Sequence, residues 1–251
     1  MSDAADRIAR SLAGEALDVA ALGTPTPTAA LGLQLDVLDR RLRAGERLAG
    51  WKVGFTSGTS RDAFGPGVRP FGHILASRVL ASGARLPRAQ IRNPGVENEL
   101  CFRIGTTFGD ATTTATEARA AVAAVAPAFE LNEGRLRGAA PTGVRVAENL
   151  SQWGIVVGTE VPLAAAGDLA ALTVSLACDG VVIASQRGSD DHIDDHFGSL
   201  ATLARNLAAF GRRVEAGSLI ITGAFTRAPV TAPGRFEGRF DGLGIVAVEF
   251  T

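Results

Sequence analysis

The sequence predicts an α+β protein whose helices come first and whose strands dominate the centre and the second half. Residues 4–47 place apolar side chains at helical spacing on both sides of a proline-rich connector. Residues 96–104 alternate side chains in the manner of a strand that buries one face. No glycine-rich nucleotide loop follows any predicted strand, and no solenoid repeat is present. We therefore expect a helical N-terminal lobe over 1–48 and a β-rich domain over 49–251 that fold as one unit.

The first half of the chain contains helical segments, one long loop and several strand-like segments. The loop is rich in Gly, Ser and Pro, and a loop of this length in a compact domain is often functional. In order, the expected elements are a helix at 4–22, a helix at 30–47, a strand at 50–56, a loop at 57–72, and strands at 73–80 and 96–104.

The second half begins with a helix that carries its own start signal. Thr114 and Glu117 have the spacing of a capping box, and Pro127 follows the predicted end of that helix near Val125. A later helix stops at Gly211, a residue type common at helix C-termini. The other expected elements are helices near 145–152 and at 198–210, and strands at 128–132, 154–158, 171–177, 181–186, 218–222, 236–240 and 244–250.

Length, charge and hydropathy exclude several classes of protein. The 251 residues are enough for a substantial core, with 46% apolar and 20% charged side chains. A net charge of −1 gives no basic surface for nucleic acid or anionic membranes. No apolar run is long enough to span a bilayer, and no signal segment opens the chain. We therefore expect a cytoplasmic enzyme or binding protein with neither nucleic acid nor membrane as a partner.

Lys52 is the only lysine among the 25 basic residues, and it lies in the apolar segment GWKVGF. Arginine stays charged in proteins, whereas burial lowers the pKa of a lysine and lets it transfer a proton. The sequence therefore points to Lys52 as an acid–base or substrate-orienting group. A surface lysine that lies along apolar neighbours is the alternative.

Glu97 and Glu99 lie on the same face of the strand predicted at 96–104, because side chains two residues apart point the same way. Neighbouring like charges on a strand are unfavourable, and a divalent cation removes that cost. Glu130 adds a third carboxylate from another apolar segment. Three carboxylates without a Cys or His partner suit Mg²⁺ or Mn²⁺ better than Zn²⁺. Ordinary glutamates on a solvent-exposed strand face are the alternative.

A further acidic segment, SDDHIDDHF at 189–197, combines aspartates with two of the three histidines. It lies between a predicted strand and a predicted helix. We interpret it as a solvated acidic turn, with Asp195 near the helix N-terminus, rather than as a second metal site.

Seven segments spread along the chain carry a family pattern. They are AGWKVGFTS (49–57), PFGHIL (70–75), VENELCF (96–102), PAFELNEGRL (127–136), AENLSQWGIVVG (147–158), AGSLIITGAF (216–225) and PGRFEGRFDGLGIVAVEF (233–250). In this order they resemble the 2-keto-4-pentenoate hydratase branch of the fumarylacetoacetate hydrolase superfamily, which also contains the 4-oxalocrotonate decarboxylases. The resemblance extends from about residue 30 to the end of the chain, and no single segment carries it alone.

The resemblance implies a mixed β roll of the fumarylacetoacetate hydrolase type with a helical N-terminal lobe, assembled as a homo-oligomer. It implies an Mg²⁺ or Mn²⁺ site at Glu97, Glu99 and Glu130, with Lys52 as a catalytic residue. The substrates it implies are short 2-oxo or 2-hydroxydienoic acids, whose C1 carboxylate and C2 oxygen chelate the metal. The further residues that it implies near the substrate are Arg135, Asn149, Ser151, Thr222 and Gly223.

The chain departs from the family in the segment before His73. The hydratases carry Pro-Asp-Phe-Gly there, and the acidic residue that helps to handle the proton and the water is replaced by Pro70. Proline has no acid–base group. His73 and Glu133 are the candidates for this catalytic role.

Four functions stay open at the level of the sequence. The leading one is a hydro-lyase that adds water to a 2-hydroxy-2,4-dienoate in aromatic catabolism. A decarboxylase of a 4-oxalocrotonate-type 2-oxo diacid needs less water activation, and Arg69 would favour such a dicarboxylate. An acylpyruvate-type C–C hydrolase needs a His–Glu pair that is not evident near the N-terminal half. A catalytically silent paralogue or partner subunit is the fourth, because the family's acidic residue is missing at Pro70. The resemblance also implies association with a partner enzyme of the same pathway.

Overall fold

The computed structural model, which describes residues 3–136, 140–189 and 191–251, shows two β-sheets with helices packed against them. The helices are α1 (Asp3–Leu12), α2 (Pro27–Arg43), α3 (Ala115–Ala121), α4 (Thr142–Ala147) and α5 (His196–Ala208). The strands are β1 (Leu48–Val53), β2 (Phe71–Leu75), β3 (Val79–Ala81), β4 (Ala84–Leu86), β5 (Pro94–Ile104), β6 (Val122–Glu133), β7 (Gln152–Val157), β8 (Val161–Pro162), β9 (Thr173–Cys178), β10 (Val181–Arg187), β11 (Leu219–Pro229), β12 (Gly234–Phe240) and β13 (Gly244–Phe250). This mixture of elements confirms the predicted α+β class.

The larger sheet joins strands that are far apart in the sequence. Its order is β2-β1-β11-β5-β6-β7-β3, and β8 pairs with β6 beside this path. β1 runs parallel to β11, whereas β5 is antiparallel to both β11 and β6. This order places Lys52 on β1, Glu97 and Glu99 on β5, and Glu130 on β6 within one sheet.

The second sheet has the order β10-β9-β12-β13-β4, and it packs against β5. Gly238 of β12 lies so close to β5 that a Cβ at this position would collide with the Asn98 side chain. Asn98 is fully buried and donates to the Ser175 carbonyl at 3.2 Å. Because Asn98 points towards the second sheet, its neighbours Glu97 and Glu99 point to the opposite face.

The first helix ends well before the predicted end at residue 22. Gly14 has a φ of 118°, and the Glu15 N–H turns back to the Arg10 carbonyl at 3.1 Å. This is a helix-ending pattern that favours glycine, so the predicted continuation of the helix to residue 22 is wrong. Within the described ranges, none of the helices combines the length and the apolar character required to cross a bilayer.

The second helix is tied to the sheet that follows it. α2 begins at Pro27, earlier than predicted, because the Thr26 side chain caps it and proline suits the first helical turn. Gln34 of α2 is fully buried and donates to the carbonyls of Phe71 at 2.7 Å and Val146 at 3.0 Å. These bonds join the two predicted parts of the chain, and the division into a lobe and a domain stays a prediction.

β6 starts directly where α3 stops, so the predicted extension of that helix to Val125 is wrong. The predicted capping box is present, with Thr114 and Glu117 each accepting a backbone N–H from the other. The residues from Val122 onwards pair with β5 instead of continuing the helix. Cross-strand pairing therefore overrides the helix propensity of this alanine-rich segment.

Candidate active site

Three glutamates meet on the face of the larger sheet that is turned away from the second sheet. Glu97 of β5 pairs in register with Glu130 of β6, and Glu99 lies two residues further along β5. One carboxylate oxygen from each residue lies within 4.8 Å of the others. Glu99 and Glu130 are buried, and Glu97 is partly buried. We call these three residues the carboxylate cluster, which brings together the side chains predicted to hold a metal.

The carboxylate cluster contains more negative charge than its neighbours balance. Burial, with the nearby Glu130, raises the pKa of Glu99 well above its usual value, and burial also raises the pKa of Glu130. Lys52 Nζ donates to a Glu130 carboxylate oxygen and to the Leu150 carbonyl, the latter at 3.3 Å. The Lys52 ammonium and the half-exposed Arg227 guanidinium beside Glu97 leave the three carboxylates with an excess of one negative charge. This all-oxygen donor set suits a hard divalent cation.

Lys52 is buried, with 8% of its side chain exposed. Burial acts to lower the pKa of Lys52, but the attraction of Glu130, Glu97 and Glu99 outweighs it, so the pKa is raised. The expectation that burial lowers this pKa is therefore wrong for a lysine held among three carboxylates. Gly72 on β2 leaves space for the side chain, because a Cβ there would lie 2.8 Å from Lys52 Cγ.

A β-bulge in β11 directs a backbone donor towards the carboxylate cluster. The register between β11 and β5 shifts at Thr222 and Gly223, and the Gly223 N–H donates to Glu99 Oε2 at 2.6 Å. Gly223 has a φ of 138°, and a Cβ there would collide with Thr56. Both the backbone conformation and the close packing therefore require glycine at this position.

The carboxylate cluster lines a cavity of about 440 Å³. Ser57 and Ser60 of the long predicted loop form part of the wall, together with Thr56. Arg227 also lines the cavity, half-exposed, with its Nε 3.8 Å from Glu97 Oε1. Sequence reasoning missed Arg227 as a residue of the site. The only sequence feature that points to it is its position two residues after the segment AGSLIITGAF. The predicted site residues in the wall are Lys52, Glu97, Glu99, Glu130, Glu133, Ser151 and Gly223.

His73 and Asn149 lie behind the cavity wall. The Asn149 amide accepts from the His73 N–H at 2.7 Å and donates to the His73 carbonyl at 3.0 Å. The His73 ring is buried, and burial lowers its pKa to about 3, so it is neutral at physiological pH. A catalytic role for His73 in place of the acid lost at Pro70 finds no support in this position.

Glu133 lines the cavity but is held by two arginines. Its carboxylate accepts from Arg92 Nε and from an Arg135 Nη, each at 2.8 Å. Burial acts to raise the pKa of Glu133, and the two arginines together lower it. Arg135 itself is buried outside the cavity wall, and its contact with substrate stays a prediction.

Thr222 also lies behind the wall and supports it. Its hydroxyl is hydrogen-bonded to His196 Nδ1 at 2.9 Å, and its carbonyl accepts from Thr56 Oγ1 at 2.9 Å. Burial lowers the pKa of His196 to about 4. Sequence reasoning placed His196 in a solvated turn, and its burial comes from packing against β11.

The acidic segment 189–197, of which the structure describes all residues except Asp190, holds the long loop in place. Asp194 forms an ion pair with Arg69 of that loop. Arg69 is therefore engaged away from the main cavity and provides no free cation for a dicarboxylate there. Asp195 caps α5 by accepting the Gly198 N–H at 2.6 Å, as expected for a helix N-terminus.

No protein-family model matches the chain, but curated relatives do. The chain is 30% identical to a 2-keto-4-pentenoate hydratase of Burkholderia vietnamiensis over 229 residues, 89% of this chain and 86% of the relative. It is 30% identical to a 2-hydroxyhexa-2,4-dienoate hydratase of Comamonas testosteroni, covering 87% and 84%. It is 32% identical to a 4-oxalocrotonate decarboxylase of a Pseudomonas species, covering 80% and 78%.

The fold is shared with solved structures. A 4-oxalocrotonate decarboxylase from Pseudomonas putida G7, complexed with magnesium and adipate, has a TM-score of 0.90 at 22% identity, covering 99% of this chain and 96% of that one. A fumarylpyruvate hydrolase from Pseudomonas aeruginosa, in complex with Mn²⁺ and pyruvate, has a TM-score of 0.61 at 21% identity, covering 82% and 89%. These likenesses confirm the predicted fold of the β roll.

Proposed function

Since the chain belongs to the 2-keto-4-pentenoate hydratase and 4-oxalocrotonate decarboxylase branch of the fumarylacetoacetate hydrolase superfamily, and is a lyase, we propose that it adds water to a 2-hydroxy-2,4-dienoate. The product would be a 4-hydroxy-2-oxo acid. The observation that carries the proposal is the meeting of three carboxylates and a buried lysine in the wall of one cavity. Assembly as a homo-oligomer and association with a partner enzyme stay predictions.

We propose that the carboxylate cluster binds Mg²⁺ or Mn²⁺. Its all-oxygen donors, its excess negative charge and the raised pKa values of Glu99 and Glu130 support this assignment. Solved structures of the same fold contain magnesium, calcium or Mn²⁺. A divalent cation at this site supplies electrophilic stabilisation of negative charge that develops on a substrate oxygen.

The protein's own side chains hold and move the proton. Lys52 carries its proton at neutral pH because its pKa is raised. We assign it to protonate a substrate carbon because it lines the cavity beside the carboxylate cluster. The Leu150 carbonyl and Glu130 orient its Nζ. We assign Glu133 to accept a hydrogen bond from the attacking water, because it is the carboxylate of the cavity wall outside the carboxylate cluster.

Decarboxylation of a 4-oxalocrotonate-type acid is the second candidate, and the state of Glu133 favours it. Two arginines hold this carboxylate and lower its pKa, which makes it a weak base towards water. Decarboxylation needs stabilisation of negative charge and a proton for carbon, but no activated water.

A paired ultraviolet assay tests the proposal with 2-hydroxypenta-2,4-dienoate and 4-oxalocrotonate as substrates. We expect turnover of the dienoate with Mg²⁺ or Mn²⁺, and loss of turnover with EDTA. If the protein turns over 4-oxalocrotonate but not the dienoate, decarboxylation replaces hydration as the proposed reaction. Turnover of neither substrate by protein that binds Mn²⁺ would overturn the proposed function.

A further inference from the structure

Three consecutive residues after α4 adopt the left-handed backbone conformation. Asn149, Leu150 and Ser151 have φ values of 70°, 53° and 61°. Residues other than glycine visit this region singly and at an energetic cost, so a run of three requires support from its surroundings. The helix predicted near 145–152 therefore stops at Ala147, and the segment that follows is a strained turn.

Glu148 supports this turn from the inside of the protein. One oxygen of its carboxylate accepts the Ser151 N–H at 2.8 Å, and the other accepts Arg135 Nε at 2.7 Å. Its main-chain carbonyl accepts Arg135 Nη2 at 2.9 Å. Both side chains are at most 2% exposed, and neither residue lines the cavity.

The support continues from Arg135 to the N-terminal helix. Arg135 donates to Glu133, and Glu133 accepts from Arg92, each at 2.8 Å. Arg92 Nη2 in turn donates to the Ser11 carbonyl at the end of α1 at 2.8 Å. We call Arg92, Glu133, Arg135 and Glu148 the ion-pair chain. Its two arginines balance its two glutamates, so it is electrically complete without a ligand.

The strained turn presents two of its groups to the site. The Leu150 carbonyl accepts a hydrogen bond from Lys52 Nζ at 3.3 Å, and Ser151 lines the cavity. The Ser151 carbonyl also accepts the Glu133 N–H at 2.8 Å, which ties the turn to β6. A turn relaxed into ordinary helical or extended conformation would redirect the Leu150 carbonyl away from Lys52.

We propose that Glu148 is a positioning residue, which holds residues 149–151 in the conformation that orients Lys52. This inference rests on the proposed function, because the orientation of Lys52 matters only if that residue transfers a proton. The side-chain hydrogen bonds of Glu148 go to Arg135 and Ser151, not to the carboxylate cluster. The effect of Glu148 is therefore on proton transfer and not on cation binding.

The single lysine of the chain makes this proposal directly measurable. Selective ¹⁵Nζ labelling of lysine gives one ammonium signal, that of Lys52, in a metal-free or metal-loaded sample. We expect Glu148→Gln to shift this signal and to speed hydrogen exchange at the Ser151 amide. Glu160→Gln is the matched control, because Glu160 pairs with Arg103 through hydrogen bonds away from the turn.

Kinetics and cation binding complete the test. We expect Glu148→Gln to lower kcat by roughly 10- to 100-fold, as the loss of an outer supporting residue does, with KM and the Mn²⁺ dissociation constant within about twofold. If Glu148→Gln fails to fold, Glu148→Asp takes its place in the test, because it keeps the charge that faces Arg135. We expect the kcat of Glu148→Asp to lie between the parent value and the value expected for Glu148→Gln. Glu160→Gln should leave all of these values unchanged.

An unshifted Lys52 signal in folded Glu148→Gln protein would overturn the inference, as would a loss of Mn²⁺ affinity equal to the loss of kcat. Absence of turnover in the parent protein would overturn the proposed function instead. In that case the Lys52 signal and the Ser151 exchange rate still decide whether Glu148 holds the turn.

Discussion

Two neighbouring groups of buried charge differ in how they are balanced. Lys52 and the half-exposed Arg227 leave the carboxylate cluster with an excess of one negative charge, and burial together with the neighbouring carboxylates raises the pKa of Glu99 and Glu130. The ion-pair chain has equal numbers of arginines and glutamates, and each of its carboxylates accepts hydrogen bonds from arginine. Unbalanced buried charge is costly, so it marks a place where a ligand binds. Balanced buried charge marks a scaffold that holds such a place in shape.

Breaking the ion-pair chain should have the largest effect on stability. Arg135→Met leaves Glu133 and Glu148 buried without their shared partner, and we expect the free energy of unfolding to fall by about 3–5 kcal/mol. Urea unfolding measures this loss. Arg103→Met, at a partly exposed ion pair, is the control and should cost at most about 1 kcal/mol. Equal losses in the two variants would contradict the distinction between scaffold and surface.

Removing one charge from the carboxylate cluster should have opposite effects on activity and on stability. We expect Glu99→Gln to lower activity by more than the roughly 100-fold that loss of an outer supporting residue costs. The same change should raise the free energy of unfolding of the metal-free protein, because burial and the nearby Glu130 disfavour the charged form of Glu99 in the fold. Assays with Mn²⁺ and urea unfolding in EDTA measure both effects, and a destabilised metal-free variant would contradict the comparison.

Cation binding should stabilise the protein only through the carboxylate cluster. At a Mn²⁺ concentration about 100 times its dissociation constant, we expect a gain of roughly 2.7 kcal/mol in the free energy of unfolding. Thermal or urea unfolding with and without Mn²⁺ measures the gain. Glu99→Gln should lose it, whereas Glu160→Gln should keep it. A gain that survives in Glu99→Gln would place the cation elsewhere.

A buried group can also avoid the cost of charge by staying neutral, as His196 does beneath the bulge of β11. Because its pKa is lowered to about 4, the unfolded chain binds more protons between pH 6.5 and about 4, and stability falls as the pH falls through this range. We expect His196→Gln to reduce this loss by about 1 kcal/mol per pH unit. Urea unfolding of both proteins from pH 7 to pH 4.5 provides the measurement, and parallel pH profiles would refute the assignment.

Local geometry explains why much of the candidate site was predictable. Glu97 and Glu99 share a face because strand periodicity depends only on neighbouring residues, and Asn98 between them points to the core as that periodicity requires. Glu130 joined them through the family pattern, since its pairing with Glu97 depends on how β5 meets β6. The long loop was expected to be functional, and its Ser57 and Ser60 line the cavity.

Side-chain environment explains what was missed. Asn149 and Thr222 lie in the predicted segments, but packing turns their polar side-chain atoms towards other protein groups. The His73 ring is buried behind the cavity wall. The expected lowering of the Lys52 pKa is wrong, because that expectation took account of burial but not of the surrounding carboxylates. Arg227 was missed because its place two residues after the segment AGSLIITGAF was the only signal that it carried.

The α+β class, the family, the pair of glutamates on one strand and the single lysine can all be read from the amino-acid sequence, because they depend on composition, local periodicity and motif order. The balance of buried charge, by contrast, depends on how the chain folds. The ion-pair chain joins Arg92 to Glu133, 41 residues away, and Glu148 to Arg135, 13 residues away. Charges interact through space once the chain has folded, so the division into an unbalanced site and a balanced scaffold cannot be read from neighbours in sequence.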